Sequence, residues 1–181
     1  MATVFDCIDE VLDSWLRSQR IFFVATAPSG DDGHVNCSPK GLPGSFAVLD
    51  ATTVAYLDLT GSGAETIAHV RQNGRIVLMF CAFESRPRIV RLHGRAEVVT
   101  PGDPRFPGLL AHFGDYRGSR SVIVVHVTRV SDSCGYGVPH MAFVEERPNL
   151  PLDHDKRGSD GLDAYRREYN AMSIDGLPAL P

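Results

Sequence analysis

The chain has 181 residues, 43% of them hydrophobic and 22% charged, the proportions of a globular domain and not of a disordered, collagen-like or disulfide-framework chain. Eighteen Lys and Arg stand against 22 Asp and Glu, a formal charge of −4, so no overall basic field exists to hold nucleic acid or an anionic membrane. The longest apolar runs, Ile21 to Val24 and Ile76 to Ala82, fall far short of the roughly 20 residues of a membrane helix, and no basic-then-apolar leader opens the chain. A soluble, cytoplasmic protein with no nucleic-acid or membrane partner is expected.

In chain order, Val4, Ile8, Leu12, Trp15 and Leu16 form one stripe with acidic residues on the other faces, which predicts an amphipathic helix over residues 4–17. Ile21 to Ala27 is short, β-branched and aromatic and runs into the turn signal Pro28 to Gly33, so it reads as a strand entering a hairpin, with His34 to Ser38 returning. Two further strands follow at Phe46 to Leu49 and Thr53 to Leu59. A short helix from Ala64 to Gln72 is closed by Asn73-Gly74. Strands are predicted again at Arg75 to Ala82, at Arg88 to Val99, where Gly94 marks a bulge or a close approach, and at Ser121 to Val130. Between the last two lies a short helix, Pro104 to Phe113. Beyond Pro139 the chain turns charged and rich in Pro, Gly and Asp before a helical stretch from about Leu162 to Ala171. Closely spaced strands with brief helices predict a mostly β, α+β fold, an antiparallel barrel with short peripheral helices.

Chemistry-bearing patterns are few. Cys7, Cys37, Cys81 and Cys134 form no CxxC pair and are read as small buried hydrophobes, Cys134 alone keeping a functional alternative. The seven histidines show neither HxH nor HExxH spacing and no nucleophile elbow is present, which disfavours metal catalysis and acyl transfer, although one histidine suffices to ligate haem. The turn Thr60-Gly61-Ser62-Gly63, joining a strand to a helix, offers amides for a phosphate or, equally, a hydroxyl cap for the helix. It lacks the third glycine of a dinucleotide fingerprint and the Gly-Lys ending of a nucleoside-triphosphate loop. Lys40 stands out because only it and Lys156 are lysines in a chain that otherwise uses arginine. Arg88 and Arg91, three apart, point to opposite faces of their strand.

Taken together, the strand IFFVATA, the segment HVNCSPKG, the turn TGSGAET and the strand RIVRLHGRAEVV resemble the pyridoxamine 5′-phosphate oxidase-like family of flavin-binding split β-barrels over roughly residues 5 to 132. The resemblance is to a branch carrying SPKG (38–41), TGSGxET (60–66), SCGYGVP (133–139) and SIDGLPAL (173–180). It implies a split-barrel flavin-binding domain over 1–140 and an extension over 141–181 that packs on the barrel or on a dimer partner. It further implies a homodimer with FMN at the subunit interface, held by Asn36, Ser38, Pro39 and Lys40, by Thr60, Gly61, Ser62, Gly63, Glu65 and Thr66, and by Arg91. The implied activity is an oxidoreductase taking electrons from NAD(P)H or another small molecule. Two other readings fit the same resemblance: a non-catalytic module holding haem or a phosphorylated metabolite, and a reductase using the deazaflavin F420. Where vitamin B6 phosphate oxidases carry an Arg-Lys pair this chain has Glu65 and Thr66, and where they carry a glutamine it has Ile89. Their terminal Trp-Arg and Asn-Pro-Arg elements have no match in residues 173–181, so oxidation of vitamin B6 phosphates is not expected.

Overall fold

In the computed structural model, which describes residues 3–181, the β-branched and aromatic runs become strands and wrap one core; Met1 and Ala2, the start of the expected 1–140 domain, lie outside the described residues. The order is β1 (Thr3–Phe5), α1 (Glu10–Ser18), β2 (Phe22–Thr26), β3 (Asn36–Lys40), β4 (Phe46–Asp50), β5 (Thr53–Leu59) and α2 (Glu65–Asn73). Then come β6 (Arg75–Cys81), β7 (Ile89–Val99), α3 (Phe106–Leu110), β8 (Ser119–Ser133) and α4 (Asn149–Tyr169). Every pairing is antiparallel, and the sheet runs β3-β2-β6-β7-β8-β5-β4, with β1 added along the end of β8. The end strand β4 packs across the interior on the other half of the sheet through side chains: the ring centroid of Phe46 in β4 lies 5.5 Å from that of Phe22 in β2 and 5.0 Å from that of Phe80 in β6. The architecture is therefore mostly β, a split antiparallel barrel with short helices outside it. Val24, Val54, Tyr56, Leu78, Leu92 and Ile123 fill its interior.

Gly94 is the bulge that the strand pattern suggests. The β7–β8 register shifts between His93 and Gly94, and a Cβ on residue 94 would run into the carbonyl oxygen of His126. Helix α2 ends where Gly74 adopts φ 69°, its N–H bonded to the Val70 carbonyl at 2.9 Å, so a glycine serves where other residues would be strained.

Three local expectations are corrected. The helix predicted from residue 4 begins at Glu10, capped by Asp9, whose carboxylate accepts from the Leu12 N–H at 2.8 Å; Val4 instead lies in β1 opposite Ser131. Val4 and Ile8 coincide with helical spacing, but pairing with β8 satisfies the backbone first. The last helix starts at Asn149 and not near Leu162, broken at Gly158 (φ 63°), with Pro151 tolerated because first-turn N–H groups have no partner inside a helix. Of the cysteines only Cys81 is buried; Cys7, Cys37 and Cys134 are exposed, Cys37 because alternation along β3 turns it outward. No helix among the described residues is long and apolar enough to cross a membrane.

After α4 the chain returns to the barrel. Ala179 is fully buried in the main core, and Leu177 and Leu180 pack against it. The Ala179 and Leu180 N–H groups donate to the carbonyls of Ala171 (2.9 Å) and Asn170 (3.0 Å).

Candidate functional site

Alternation along β3 turns Asn36, Ser38 and Lys40 inward, toward the end of β5 and the loop that leads into α2. Between these elements lies a cavity of about 260 Å³. Ser38, Pro39 and Lys40 form one wall, and Thr60, Gly61, Gly63, Glu65 and Thr66 another. Asn36 sits one layer behind, its Nδ2 donating to Thr66 Oγ1 (3.0 Å) and Thr26 Oγ1 (3.2 Å) while its Oδ1 accepts from Ser38 Oγ (2.9 Å). Ser62 is exposed on the outside of the turn. Arg91, on β7, donates to Ser133 Oγ at 3.2 Å and does not line this cavity.

The electrostatic centre of the cavity is a pair of residues outside every sequence motif. Asp58, 1% exposed, accepts from Arg120 Nε (2.7 Å), Ser121 Oγ (3.1 Å) and Lys40 Nζ (3.3 Å). Burial alone would raise the Asp58 pKa, but Arg120 and Lys40 outweigh it and hold the carboxyl at about 2. Asp58 therefore stays ionised, and Lys40 is tethered at the cavity wall. Lys40 and Arg120 face two carboxylates, Asp58 and Glu65, around the same space. Added attraction for an anion must come from backbone dipoles.

Those dipoles lie at the start of α2. Its N-cap position is Ala64, with no side-chain cap, so neither Thr60 nor Ser62 caps the helix. Thr60 instead donates through N (2.8 Å) and Oγ1 (2.9 Å) to the Gly118 carbonyl. The Glu65 carboxylate folds back over Gly63 and accepts from the Ile174 N–H at 3.3 Å, tying the first turn to the chain's final segment. Helix α4 covers the loop from outside: His154 Nε2 donates to the Thr60 carbonyl (2.8 Å) and Arg166 Nε to Thr60 Oγ1 (2.8 Å). Behind the cavity the Tyr56 hydroxyl and His69 Nε2 are buried with no hydrogen-bond partner among the described residues. Burial, reinforced by Asp58, pushes the Tyr56 phenol well above its usual range, and burial lowers the His69 pKa.

Sequence reasoning missed Asp58, Arg120, His154, Arg166 and Asn170. The first two left a signal, an acidic residue inside the apolar strand Val54 to Leu59 and an arginine at the mouth of the apolar run Val122 to Val125. The others sit in polar sequence, where nothing distinguishes them from solvated charge.

Comparison with known proteins gives the chain a family. The family described as pyridoxamine 5′-phosphate oxidase matches residues 8–134, more than half of the chain. The chain belongs to the pyridoxamine 5′-phosphate oxidase family. A member of this family from Aspergillus flavus, the pyridoxamine 5′-phosphate oxidase family protein ustO, is 39% identical over 196 residues, covering 99% of this chain and 78% of that protein. Among solved structures, HupZ of Group A Streptococcus superposes with a TM-score of 0.52 at 25% identity, covering 68% of this chain and 91% of that one. A FAD-binding protein of Mesorhizobium loti superposes with a TM-score of 0.50 at 13% identity, over 73% and 96% of the two chains, a likeness of fold.

Proposed function

We propose that this member of the pyridoxamine 5′-phosphate oxidase family is an FMN-binding oxidoreductase acting as a homodimer, with its cofactor at the subunit interface. One observation carries the reading: Lys40, the Thr66 hydroxyl and the uncapped first turn of α2 converge on a single cavity. A point charge, a hydroxyl and free amides are the donor set a phosphate monoester requires. The residues present thus fit the phosphate end of FMN, and Glu65, engaged by Ile174 N–H, has a protein donor of its own. A cavity of about 260 Å³ lies below the usual range of about 300–1,000 Å³ for cofactor-sized ligands. It suits the phosphate and ribityl chain and leaves the ring to be covered by other surfaces, which supports the interface location and gives Arg91 a role toward a partner's site. The flavin would supply the electron-accepting ring, with a reduced nicotinamide as donor. This chain's residues bind and orient it. Vitamin B6 phosphates are not the proposed substrates, because Glu65 and Thr66 stand where those oxidases carry Arg-Lys.

The test is the visible spectrum and released-cofactor mass of the purified protein, followed by titration with FMN, F420 and haemin. Stoichiometric FMN is expected, with affinity lowered at least tenfold in both Lys40→Ala and Thr66→Ala. A Soret band on haemin addition with no flavin uptake would replace this reading with a haem-binding module, and preferential uptake of F420 would replace the cofactor.

A further inference from the structure

Behind the cavity wall a chain of hydrogen bonds leads from β3 into the barrel. Ser38 Oγ donates to Asn36 Oδ1 (2.9 Å), Asn36 Nδ2 donates to Thr66 Oγ1 (3.0 Å) and Thr26 Oγ1 (3.2 Å), and Thr26 Oγ1 meets His69 Nδ1 at 3.0 Å. Thr26 is buried and His69 completely so, and His69 Nε2 has no partner among the described residues. Burial lowers the His69 pKa, so near neutral pH the ring carries a single proton.

The protons along this chain have one consistent order. An amide nitrogen only donates, so Asn36 takes a lone pair of Thr26 Oγ1 and leaves the Thr26 proton one acceptor among the described residues, His69 Nδ1. His69 is therefore the tautomer with its proton on Nε2. The other tautomer would leave the Thr26 proton unmatched as well as Nε2, two buried groups instead of one. The same order reaches the cavity face. Ser38 has given its only proton to Asn36 and offers the cavity lone pairs alone. Thr66 has given up a lone pair and keeps its proton, with the Tyr56 hydroxyl in electrostatic reach but making no hydrogen bond among the described residues. Lys40, on the same wall as Ser38, can only donate. An Asn36 amide turned over would reverse all of this: Ser38 would keep its proton, Thr66 would lose its own, and His69 would have to donate from Nδ1.

We infer that His69 is a positioning residue: through Thr26 and Asn36 it fixes the hydrogen-bond polarity of the cavity, an acceptor at Ser38 and donors at Thr66 and Lys40, and so selects a phosphorylated polyol. Phosphate oxygens accept and take the two donors, whereas a polyol hydroxyl supplies the proton that Ser38 lacks. The inference rests on the FMN reading above, since the ribityl phosphate of FMN is such a group, and it extends that reading by assigning ligand selection to a buried ring that does not line the cavity. A haem carboxylate brings acceptors and no hydroxyl donor, so it leaves Ser38 unanswered.

A proton–nitrogen correlation spectrum of the imidazole rings in the unliganded protein reads the direction of the chain. A proton on His69 Nε2 with Nδ1 bare is expected, and a proton on Nδ1 overturns the inference. Titration calorimetry reads the consequence. Thr26→Val, which removes the hydroxyl and keeps the shape, should lose about fivefold in FMN affinity, the worth of one neutral hydrogen bond, while Thr26→Ser stays within about twofold of wild type. A folded Thr26→Val that binds FMN as wild type does overturns the inference, and so does an equal loss in Thr26→Ser, which marks a packing lesion. If Thr26→Val does not fold, Ser38→Ala decides: it should weaken FMN and riboflavin alike by about fivefold, since both carry the polyol, and keep inorganic phosphate within about twofold. Any other pattern overturns the assignment. A wild type that takes up ribitol 5-phosphate but no flavin sinks the FMN reading alone; one that binds neither FMN nor ribitol 5-phosphate sinks both.

Discussion

Asp58 and Arg120 show how a single buried residue constrains a whole site. Replacing one partner leaves the other charged and without solvent, which typically costs about 3–5 kcal/mol. Asp58→Asn should therefore lower unfolding free energy at pH 7 by about 3 kcal/mol or more, measured by urea denaturation. The sign of the pH dependence follows from the depressed pKa. Because the folded value is about 2 against an ordinary 3.8, the ionised Asp58 contributes stability fully present above about pH 5 and lost as pH falls through about 2. The gap between wild type and Asp58→Asn should accordingly narrow between pH 4 and pH 2, by about 2 kcal/mol. A gap that is constant across that range would mean that Asp58 ionises alike in the folded and unfolded chain.

At the scale of elements, β7 and β8 carry the longest ladder in the sheet, and their register turns on one glycine. A methyl at position 94 meets the His126 carbonyl, a backbone atom that cannot swing aside. Gly94→Ala should cost about 1–3 kcal/mol, read as a lower denaturation midpoint at unchanged m-value; full tolerance would show that the bulge relaxes freely. Gly94 was legible in the sequence because it interrupts the regular alternation of β7, whereas β2, β4, β5, β6 and β8 were legible as short β-branched and aromatic runs between turn residues, and β3 only as a return strand set two residues too early. What escaped was set by distant partners. β1 forms only because the end of β8 offers it a ladder, and the first half of α4 has the composition of a loop until His154 docks on Gly118 and Thr60. The site divides in the same way. Residues 36–40 and 60–66 sit in contiguous motifs, whereas Asp58 and Arg120 are 62 positions apart and Arg120 and Asn170 are 50 apart. No local pattern encodes such pairs.

Across the molecule, the final segment links core, cavity loop and hairpin. Ala179 is sealed in the barrel, Asn170 braces Arg120 and Gly61, and Asp175 accepts from the His34 N–H (2.9 Å) and contacts the His34 ring at 2.6 Å. Core packing and support of the cavity loop are thus joined in one stretch, and they can be separated experimentally. Deleting residues 170–181 uncovers Ala179's site and the surfaces under Leu177 and Leu180, a loss of about 2–4 kcal/mol by apolar area. For a chain of this size the melting temperature should fall by about 5–15 °C. Asn170→Ala leaves that packing in place but strips partners from Arg120 and the Gly61 carbonyl, so it should cost about 1–3 kcal/mol, read as a smaller fall in melting temperature than the deletion gives. If deletion leaves melting unchanged, the segment adds nothing to the core despite its burial. If Asn170→Ala melts as low as the deletion, the amide's bonds to Arg120 and Gly61, and not the apolar packing of Ala179, Leu177 and Leu180, carry the segment's contribution.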